Sequence, residues 1–507
     1  MPHLTAANRV AYWTAVGLIW SLAAWHAWEA RALFGDGANF FIYAVQLDRF
    51  VHFYPSRDYA MLASQVPLLI ALKLGIDDLG WLARIFGIGV FGLPTVFYQL
   101  ALARVRRDAV LLAIVIAAIA LVFMPTSFCA VGEYNAAFAV ALASAAWLAT
   151  TDRARLLDGL IIVAMAAFAL RVYEAFVYLG PPLAAMALGV ARSSTPRHRA
   201  SVLPFAAAAA GAVIVALVGR YAMLVCLAPL LAGLSVVAWQ RPQTRQTIAT
   251  ALHLIAAAVF VAGAATALWS LVDFVSSDRL ESVPLEILDV RANPSFVLGL
   301  GAAATVALWA LRRPADLATG RPYRWADVWL VLLALFPSLA LAVSDTEIRP
   351  LAFGQCSSRV AGGPLALVFI VLIWFCRPSS RGPAWFVPIQ AALRAPGAAK
   401  RLLAFACLTL LATLPTDAFL TRAWSDYLLA LRTDVRTHAG IVTTDRAAAA
   451  AWPHVLMIEP AMLTCQGLIV RSRASDAVIV PIDNDADWVA CSPGDAAAFD
   501  RFFWHEK

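Results

Sequence analysis

A single acidic residue, Asp36, stands between Gly35 and Gly37 directly after the first long apolar segment of the chain. Flanking glycines let the backbone turn tightly and bring a carboxylate close to a bound ligand. A carboxylate in such a place can act as a general base on a hydroxyl group. A helix-ending turn with a solvated aspartate is the alternative explanation. We take Asp36 as the candidate catalytic residue.

The segment that follows Asp36 is rich in charged and aromatic side chains, with His52 and Arg57 among them. Aromatic residues suit a membrane interface, and they also suit stacking against a sugar. Two acid–base neighbours, Asp48 with Arg49 and Arg57 with Asp58, have a simpler explanation as local ion pairs. We therefore expect these two pairs to support a site rather than to react.

Two later polar segments add acidic and basic side chains beside apolar stretches. Glu133 is the one carboxylate of residues 124–135, and Arg171, Tyr173 and Glu174 lie between two apolar stretches. Charged groups at a membrane boundary are costly unless they are paired or face a cavity. A mutual pair of Arg171 with Glu174 is the simpler alternative to a binding site.

Residues 345–362 hold two basic residues, Arg349 and Arg359. A guanidinium group is well suited to bidentate contact with phosphate, although anchoring at the membrane surface explains the same pattern. The predicted substrate-binding residues are His52, Arg57, Glu133, Arg171, Tyr173, Glu174, Arg349 and Arg359.

The elements that must position these residues are membrane helices. Hydrophobic residues make up 62% of the 507-residue chain and charged residues 14%, against about 45–50% and about 25% in soluble domains. The apolar runs have the length that a helix needs to cross a bilayer. About thirteen spans are predicted, at 10–30, 82–103, 109–124, 136–150, 157–171, 177–191, 202–219, 222–239, 249–272, 295–311, 328–344, 363–376 and 402–415.

Basic residues predict the orientation of these spans. Lys and Arg concentrate in alternate loops such as 104–107 and 192–199, whereas 125–135 has none. This bias places the N-terminus in the cytoplasm and the C-terminus outside, as in a multi-pass protein of a bacterial inner membrane. Residues 1–415 are then a transmembrane domain with a long first outer loop at 31–81. Within that loop, 60–75 reads as an interfacial or re-entrant helix, or as a short span.

Residues 416–507 are predicted to form a small extracytoplasmic α/β domain. Short β-type runs occur at 455–458, 468–470 and 477–482. Cys465 and Cys491 lie in this region, and an oxidising compartment favours their pairing, but two cysteines can also stay apart. The first apolar run, 10–28, lacks a small-residue cleavage site and is expected to be retained as an anchor.

Several function classes are disfavoured by the sequence. The net charge of +7 is spread over short loops without a basic patch interleaved with aromatics, so nucleic acid is not an expected partner. No Gly-rich phosphate loop followed by Lys and Ser or Thr occurs. No Cys/His cluster has zinc-ligand spacing. The sequence therefore predicts no zinc site, its spacing assigns no residue as a metal ligand, and ATP-driven work is disfavoured.

With Asp36 just after the first span and Glu133 in the second outer loop, the chain resembles the GT-C superfamily of membrane glycosyltransferases. The resemblance covers the architecture of the whole chain: many spans, a long first outer loop and an extracytoplasmic C-terminal domain. It implies transfer of a sugar from a polyprenyl-phosphate donor to a glycan, lipid or protein acceptor. Asp36 occupies the place of that family's catalytic carboxylate.

The second outer loop departs from the family pattern, since it carries Glu133 alone rather than an acidic pair. A divalent metal is therefore an alternative and not a requirement. By the resemblance, Arg349, Arg359 and Arg171 would lie near the donor phosphate. Glu133 and Glu174 would orient the acceptor or hold a metal.

Two other function classes compete with this interpretation. A transporter or flippase for a lipid-linked sugar needs no catalytic carboxylate, but it often has paired halves and ionisable residues at mid-membrane depth. A lipid acyltransferase or ligase-like polymerase is the second class. His253 is its candidate residue, and packing is the more common role for a histidine in an apolar segment.

Overall fold

The structure of the protein is a computed structural model in which most of the described residues are helical. The structure describes residues 5–52, 55–124, 133–193, 245–275, 362–363, 365–378, 386–443, 460–480, 491 and 502–504.

Helices dominate these residues, and we number them in chain order. They are α1 Ala6–Trp28, α2 Asp36–Leu47, α3 Asp58–Lys73, α4 Leu79–Val105, α5 Ala109–Ala118, α6 Glu133–Ala149, α7 Leu156–Ala169, α8 Phe176–Ser193, α9 Arg245–Val275, α10 Leu365–Phe375, α11 Val387–Arg394, α12 Pro396–Thr437 and α13 Pro460–Val470. Short 3₁₀ turns occur at Arg31–Leu33 and Pro55–Arg57, and a π-helical segment, Ile119–Phe123, continues α5.

Polar side chains fix where several helices begin. Thr5 accepts a hydrogen bond from the Asn8 amide at the start of α1. Asp78 caps α4, and Asp108 caps α5 by accepting from two backbone amides of its first turn. Each cap satisfies amide groups that have no partner inside the helix, so short polar residues between apolar runs define the helix starts.

Three helices among the described residues are long and apolar enough to cross a membrane: α4, α9 from Arg245 to Ser270, and α12 from Gly397. Every predicted span that lies in the described residues coincides with a helix. The spans predicted at 202–219, 222–239, 295–311 and 328–344 lie outside the described residues.

The segment predicted at 60–75 is helix α3, which lies against α4. Pro67 is accommodated inside it, and a Cβ on Gly89 of α4 would overlap the carbonyl oxygen of Ser64. The two helix backbones are therefore in direct contact, because only glycine has no Cβ to separate them.

The C-terminal region combines a long helix with two short strands. Helix α12 continues past residue 416 to Thr437. Strands β1 Ile441–Thr443 and β2 Val478–Val480 pair in parallel, with Ile441 opposite Val478. A disulfide joins Cys465 to Cys491. The strand predicted at 477–482 is present at β2, and the one predicted at 455–458 lies outside the described residues.

The strand predicted at 468–470 is wrong, because these residues are the last turn of α13. Leu468, Ile469 and Val470 are all buried. A short, fully buried apolar run shows no periodicity that separates a strand from a helix. Packing against β2 and the first loop therefore decided the conformation.

The C-terminal region shares an apolar core with the first loop. Trp424 and Tyr427 of α12 are fully buried in the same cluster as Leu33 and Phe41. The side chain of Gln466 donates a hydrogen bond to the Leu33 carbonyl at 3.0 Å. Helix α12 and α13 thereby hold the segment that leads into Asp36.

Candidate functional site

The backbone conformation at Gly35 sets the position of Asp36. Gly35 has a φ of 56°, and the next residue, Asp36, starts helix α2. Glycine adopts this left-handed region at little cost. The carboxylate of Asp36 is exposed in the first turn of the helix, where the helix dipole stabilises negative charge. The geometry leaves Asp36 accessible to a ligand.

Arg57 lies at the centre of the charged groups nearby. Its Nη1 is 3.5 Å from Oε2 of Glu133, and its Nε donates to both carboxylate oxygens of Glu174 at 3.1 Å. Ser56 Oγ also donates to Glu174 Oε1, at 2.6 Å. One guanidinium group therefore joins the first loop to two segments more than seventy residues downstream.

Asp58 forms a second centre beside the first. Its side chain is fully buried, 3.1 Å from His52 Nδ1 and 3.7 Å from Arg171 Nη1. The backbone amide of Tyr59 donates to the Arg171 carbonyl at 3.0 Å. These contacts fasten the start of α3 to the turn before α8. We call Arg57, Asp58, Glu133, Arg171 and Glu174 the ion-pair cluster.

Aromatic rings cover one side of the ion-pair cluster. The Arg57 guanidinium lies over the Tyr173 ring, 4.9 Å from its centroid. The rings of Tyr173 and Tyr134 are 5.8 Å apart. A cation over an aromatic face is attracted by the ring quadrupole. Tyr173 is thus part of the cluster wall, and it fixes the orientation of Arg57.

Burial gives the two central groups unusual proton affinities. Burial raises the pKa of Glu133 to about 7; Arg57 opposes this rise, and the charges of Asp36 and Glu174 add to it. Burial lowers the pKa of Arg57, but the attraction of Glu133, Tyr173 and Glu174 outweighs it, so the pKa lies above its ordinary value. The charge of Asp36 contributes to the raised pKa of Glu133, so the exposed carboxylate lies within electrostatic range of the cluster.

The structure brings most of the sequence-predicted site residues together. Within one network it places His52, Arg57, Glu133, Arg171, Tyr173 and Glu174, with Asp36 in electrostatic range. Arg349 and Arg359 lie outside the described residues. The structure also shows contacts beyond these neighbouring sequence pairs: Arg57 with Glu133 and Glu174, Asp58 with His52 and Arg171, and Asp48 with Lys73.

Sequence reasoning missed two residues of this region. The sequence pattern gives Asp58 only a local pairing, yet it is a fully buried centre of the network. Asp417 of α12 ion-pairs with buried Arg31 at 3.7 Å. The available signal was an acidic residue in an apolar helix, which is costly unless it has a partner.

The carboxylates of the ion-pair cluster do not fit a divalent metal. In the described part of the chain, no group of three His, Cys, Asp or Glu side chains is arranged to hold a metal ion. Glu133 and Glu174 instead face the positive charge of Arg57, and two cations would repel each other there.

Comparison with known proteins identified no relative of this chain. No family model matches the chain, and neither a curated protein nor a solved structure is significantly similar to it.

Proposed function

We propose that this chain is an integral membrane glycosyltransferase. It moves a sugar from a polyprenyl-phosphate donor to an extracytoplasmic glycan, lipid or protein acceptor. The observation that carries this proposal is the exposed carboxylate of Asp36 within electrostatic range of a buried cluster that contains Arg57 and Arg171. Such a site offers a proton acceptor next to cations that favour phosphate.

In the proposed reaction Asp36 is the general base. It accepts the proton of an acceptor hydroxyl as that oxygen attacks the anomeric carbon of the sugar. The bond between the anomeric carbon and the phosphate oxygen breaks, and the lipid phosphate leaves with the electron pair. Attack opposite the leaving group inverts the anomeric configuration. No step in this scheme uses a metal.

The ion-pair cluster has two proposed roles. Arg171, together with Arg349 and Arg359, stabilises the negative charge of the departing phosphate. Arg57 is held by two carboxylates and an aromatic ring, so it positions Glu133 and Glu174 toward the acceptor. Preorganised charges need no rearrangement during the reaction, which is the source of their catalytic effect.

The proposed architecture places this site at the outer membrane face. The chain has about thirteen spans, a cytoplasmic N-terminus and residues 416–507 outside, as a small α/β domain. The support is the helical fold, three helices that can span a bilayer, and the basic loops. The disulfide between Cys465 and Cys491 agrees with an oxidising extracytoplasmic compartment.

The first experiment is a transfer assay with the purified full chain in nanodiscs. Radiolabelled polyprenyl-phosphate sugars are supplied with a membrane extract as acceptor source, and wild type is compared with Asp36→Asn. We expect transfer by wild type and a loss of at least about a hundredfold in the variant, because asparagine cannot accept the proton. Asp48→Asn, an exposed carboxylate change in the same loop, is the control and keeps activity.

Equal transfer by wild type and Asp36→Asn removes Asp36 from the role of base. Movement of intact donor lipid across the bilayer, without transfer of label, contradicts the enzyme proposal and assigns the chain to the flippase class. Circular dichroism and thermal unfolding of each variant verify that loss of activity does not come from loss of the fold.

A further inference from the structure

A second charged site lies in a cleft far from the ion-pair cluster. The cleft has a volume of about 420 Å³ and lies where α4 ends, α5 begins and α6 ends. Three arginines line it, Arg104, Arg107 and Arg394, together with one carboxylate, Asp108. The remaining wall is largely apolar and includes Val105 and Val110.

Helix α6 connects the two sites, and its length gives the approximate distance between them. It runs from Glu133 of the ion-pair cluster through 17 residues to Ala149, and Thr150 lines the cleft. At 1.5 Å per residue this helix is about 25 Å long. A bilayer hydrocarbon core is about 30 Å thick. In the proposed orientation, with the ion-pair cluster outside, the cleft at the other end of α6 lies toward the cytoplasmic face.

Two of the arginines are held in place by neighbouring helices. Arg104 is 3.1 Å from Asp158 and donates to the Thr150 hydroxyl at 2.7 Å. Arg394 of α11 is 2.9 Å from the Asp108 carboxylate. These contacts fix both guanidinium groups without using all their N–H donors, since each guanidinium has five. Their positions are set before any ligand arrives.

The balance of charge in the cleft favours an anion. Three arginines stand against Asp108 in the lining and Asp158 behind Arg104, so positive charge is in excess. Arg107 is exposed at the cleft, so its guanidinium group is accessible to an oxygen-rich anion.

We propose that this cleft binds a phosphate group, carried by an anionic phospholipid of the inner leaflet. The arginines match the phosphate, and the apolar wall matches the boundary between head group and acyl chain. Basic pockets at helix ends on the cytoplasmic side suit anionic head groups for the same reason. The inference rests on the proposed membrane orientation but not on glycosyl transfer.

The test measures lipid binding by the full chain in detergent, with native mass spectrometry and thermal unfolding as readouts. Short-chain phosphatidylglycerol, short-chain phosphatidylcholine and inorganic phosphate are the probes. The key variant is Arg107→Glu, since Arg107 is exposed at the cleft. Arg106→Glu, an equally exposed neighbour outside the lining, is the matched control.

We expect phosphatidylglycerol to bind wild type and to raise its melting temperature, with phosphatidylcholine much weaker. Arg107→Glu should weaken binding about twenty-five-fold, because the charge changes by two units and each unit contributes about a factor of five. Arg106→Glu should bind as wild type does. An equal response to inorganic phosphate supports the site and assigns it to a soluble phosphate.

Three outcomes overturn the proposal: no binding of either anion, equal binding of phosphatidylcholine, or equal weakening by both variants. No sugar donor enters the assay. A failure here is therefore independent of the outcome of the transfer assay with Asp36→Asn.

Discussion

The fold raises the proton affinity of Glu133, chiefly through burial. It is almost completely buried, Arg57 is its ion-pair partner, and Asp36 and Glu174 lie near it. Its Oε1 atom has no hydrogen-bond partner in the described part of the chain. Two additional carboxylates around one guanidinium make full ionisation unfavourable. With a pKa of about 7, Glu133 is partly protonated at neutral pH.

This proton links stability to pH, and the sign follows from the direction of the shift. The pKa of Glu133 rises from 4.5 to about 7 on folding. Its stabilising contribution is complete below pH 4.5 and falls as the pH rises toward 7, because only the folded state keeps the proton in that window. The change is on the order of 3 kcal/mol.

Glu133→Gln removes this dependence, since glutamine does not titrate. Between about pH 5 and about pH 8, the melting temperature of the variant should decrease less than that of wild type. Thermal unfolding in detergent at several pH values measures the difference. Asp77→Asn, which removes an exposed carboxylate, should follow wild type. Parallel curves for wild type and Glu133→Gln would contradict a raised pKa.

At the scale of elements, the contact between α3 and α4 fixes the position of the second half of the first loop. Gly89 of α4 faces the Ser64 carbonyl, and a Cβ at this position would also lie 3.2 Å from Pro67 Cδ. Gly92 lies one turn further along α4 with no atom within 4 Å of a Cβ. An alanine at Gly89 therefore tests the packing of α3 against α4, whereas an alanine at Gly92 tests only the helix propensity of α4.

Gly89→Ala should destabilise the protein by about 1–3 kcal/mol, because the new methyl group forces the two helices apart. Gly92→Ala should be neutral or stabilising by up to about 1 kcal/mol, because alanine is the better helix former. Thermal unfolding of both variants measures the contrast. Equal effects would show that α3 does not lie directly against α4.

At the scale of the whole molecule, a buried ion pair joins the start of the chain to its C-terminal region. Arg31 and Asp417 are 3.7 Å apart with side chains that are almost completely buried. Arg31 also donates to the Thr421 hydroxyl at 2.9 Å. The residues are separated by most of the sequence, so this pair fixes α12 beside the segment that positions Asp36.

Asp417→Ala should cost about 3–5 kcal/mol of unfolding free energy, because it leaves the buried charge of Arg31 with less compensation. The double variant Arg31→Met with Asp417→Leu should recover most of this loss, since it removes both charges and keeps the volume. Denaturant unfolding of the single and double variants measures the coupling. If the double variant loses as much unfolding free energy as the two single substitutions together, the broken ion pair is not the cause of the loss.

The sequence by itself determined the apolar segments, and with them the helices. Apolar runs such as 82–103 and 249–272 coincide with α4 and α9, because a long apolar stretch satisfies its own backbone hydrogen bonds only as a helix. It also predicted the turn before Asp36, since flanking glycines mark a turn, and Gly35 has a φ of 56°. Both are local properties that neighbouring residues decide.

Only the tertiary structure decided which charges meet. Arg57 and Asp58 are adjacent in sequence, yet their partners include Glu174 and Arg171, which are over one hundred residues away. Burial then sets the energetics, because desolvation makes each charge depend on the groups that enclose it. The same reason explains α13, where packing made a helix of an apolar run that local pattern assigned to a strand.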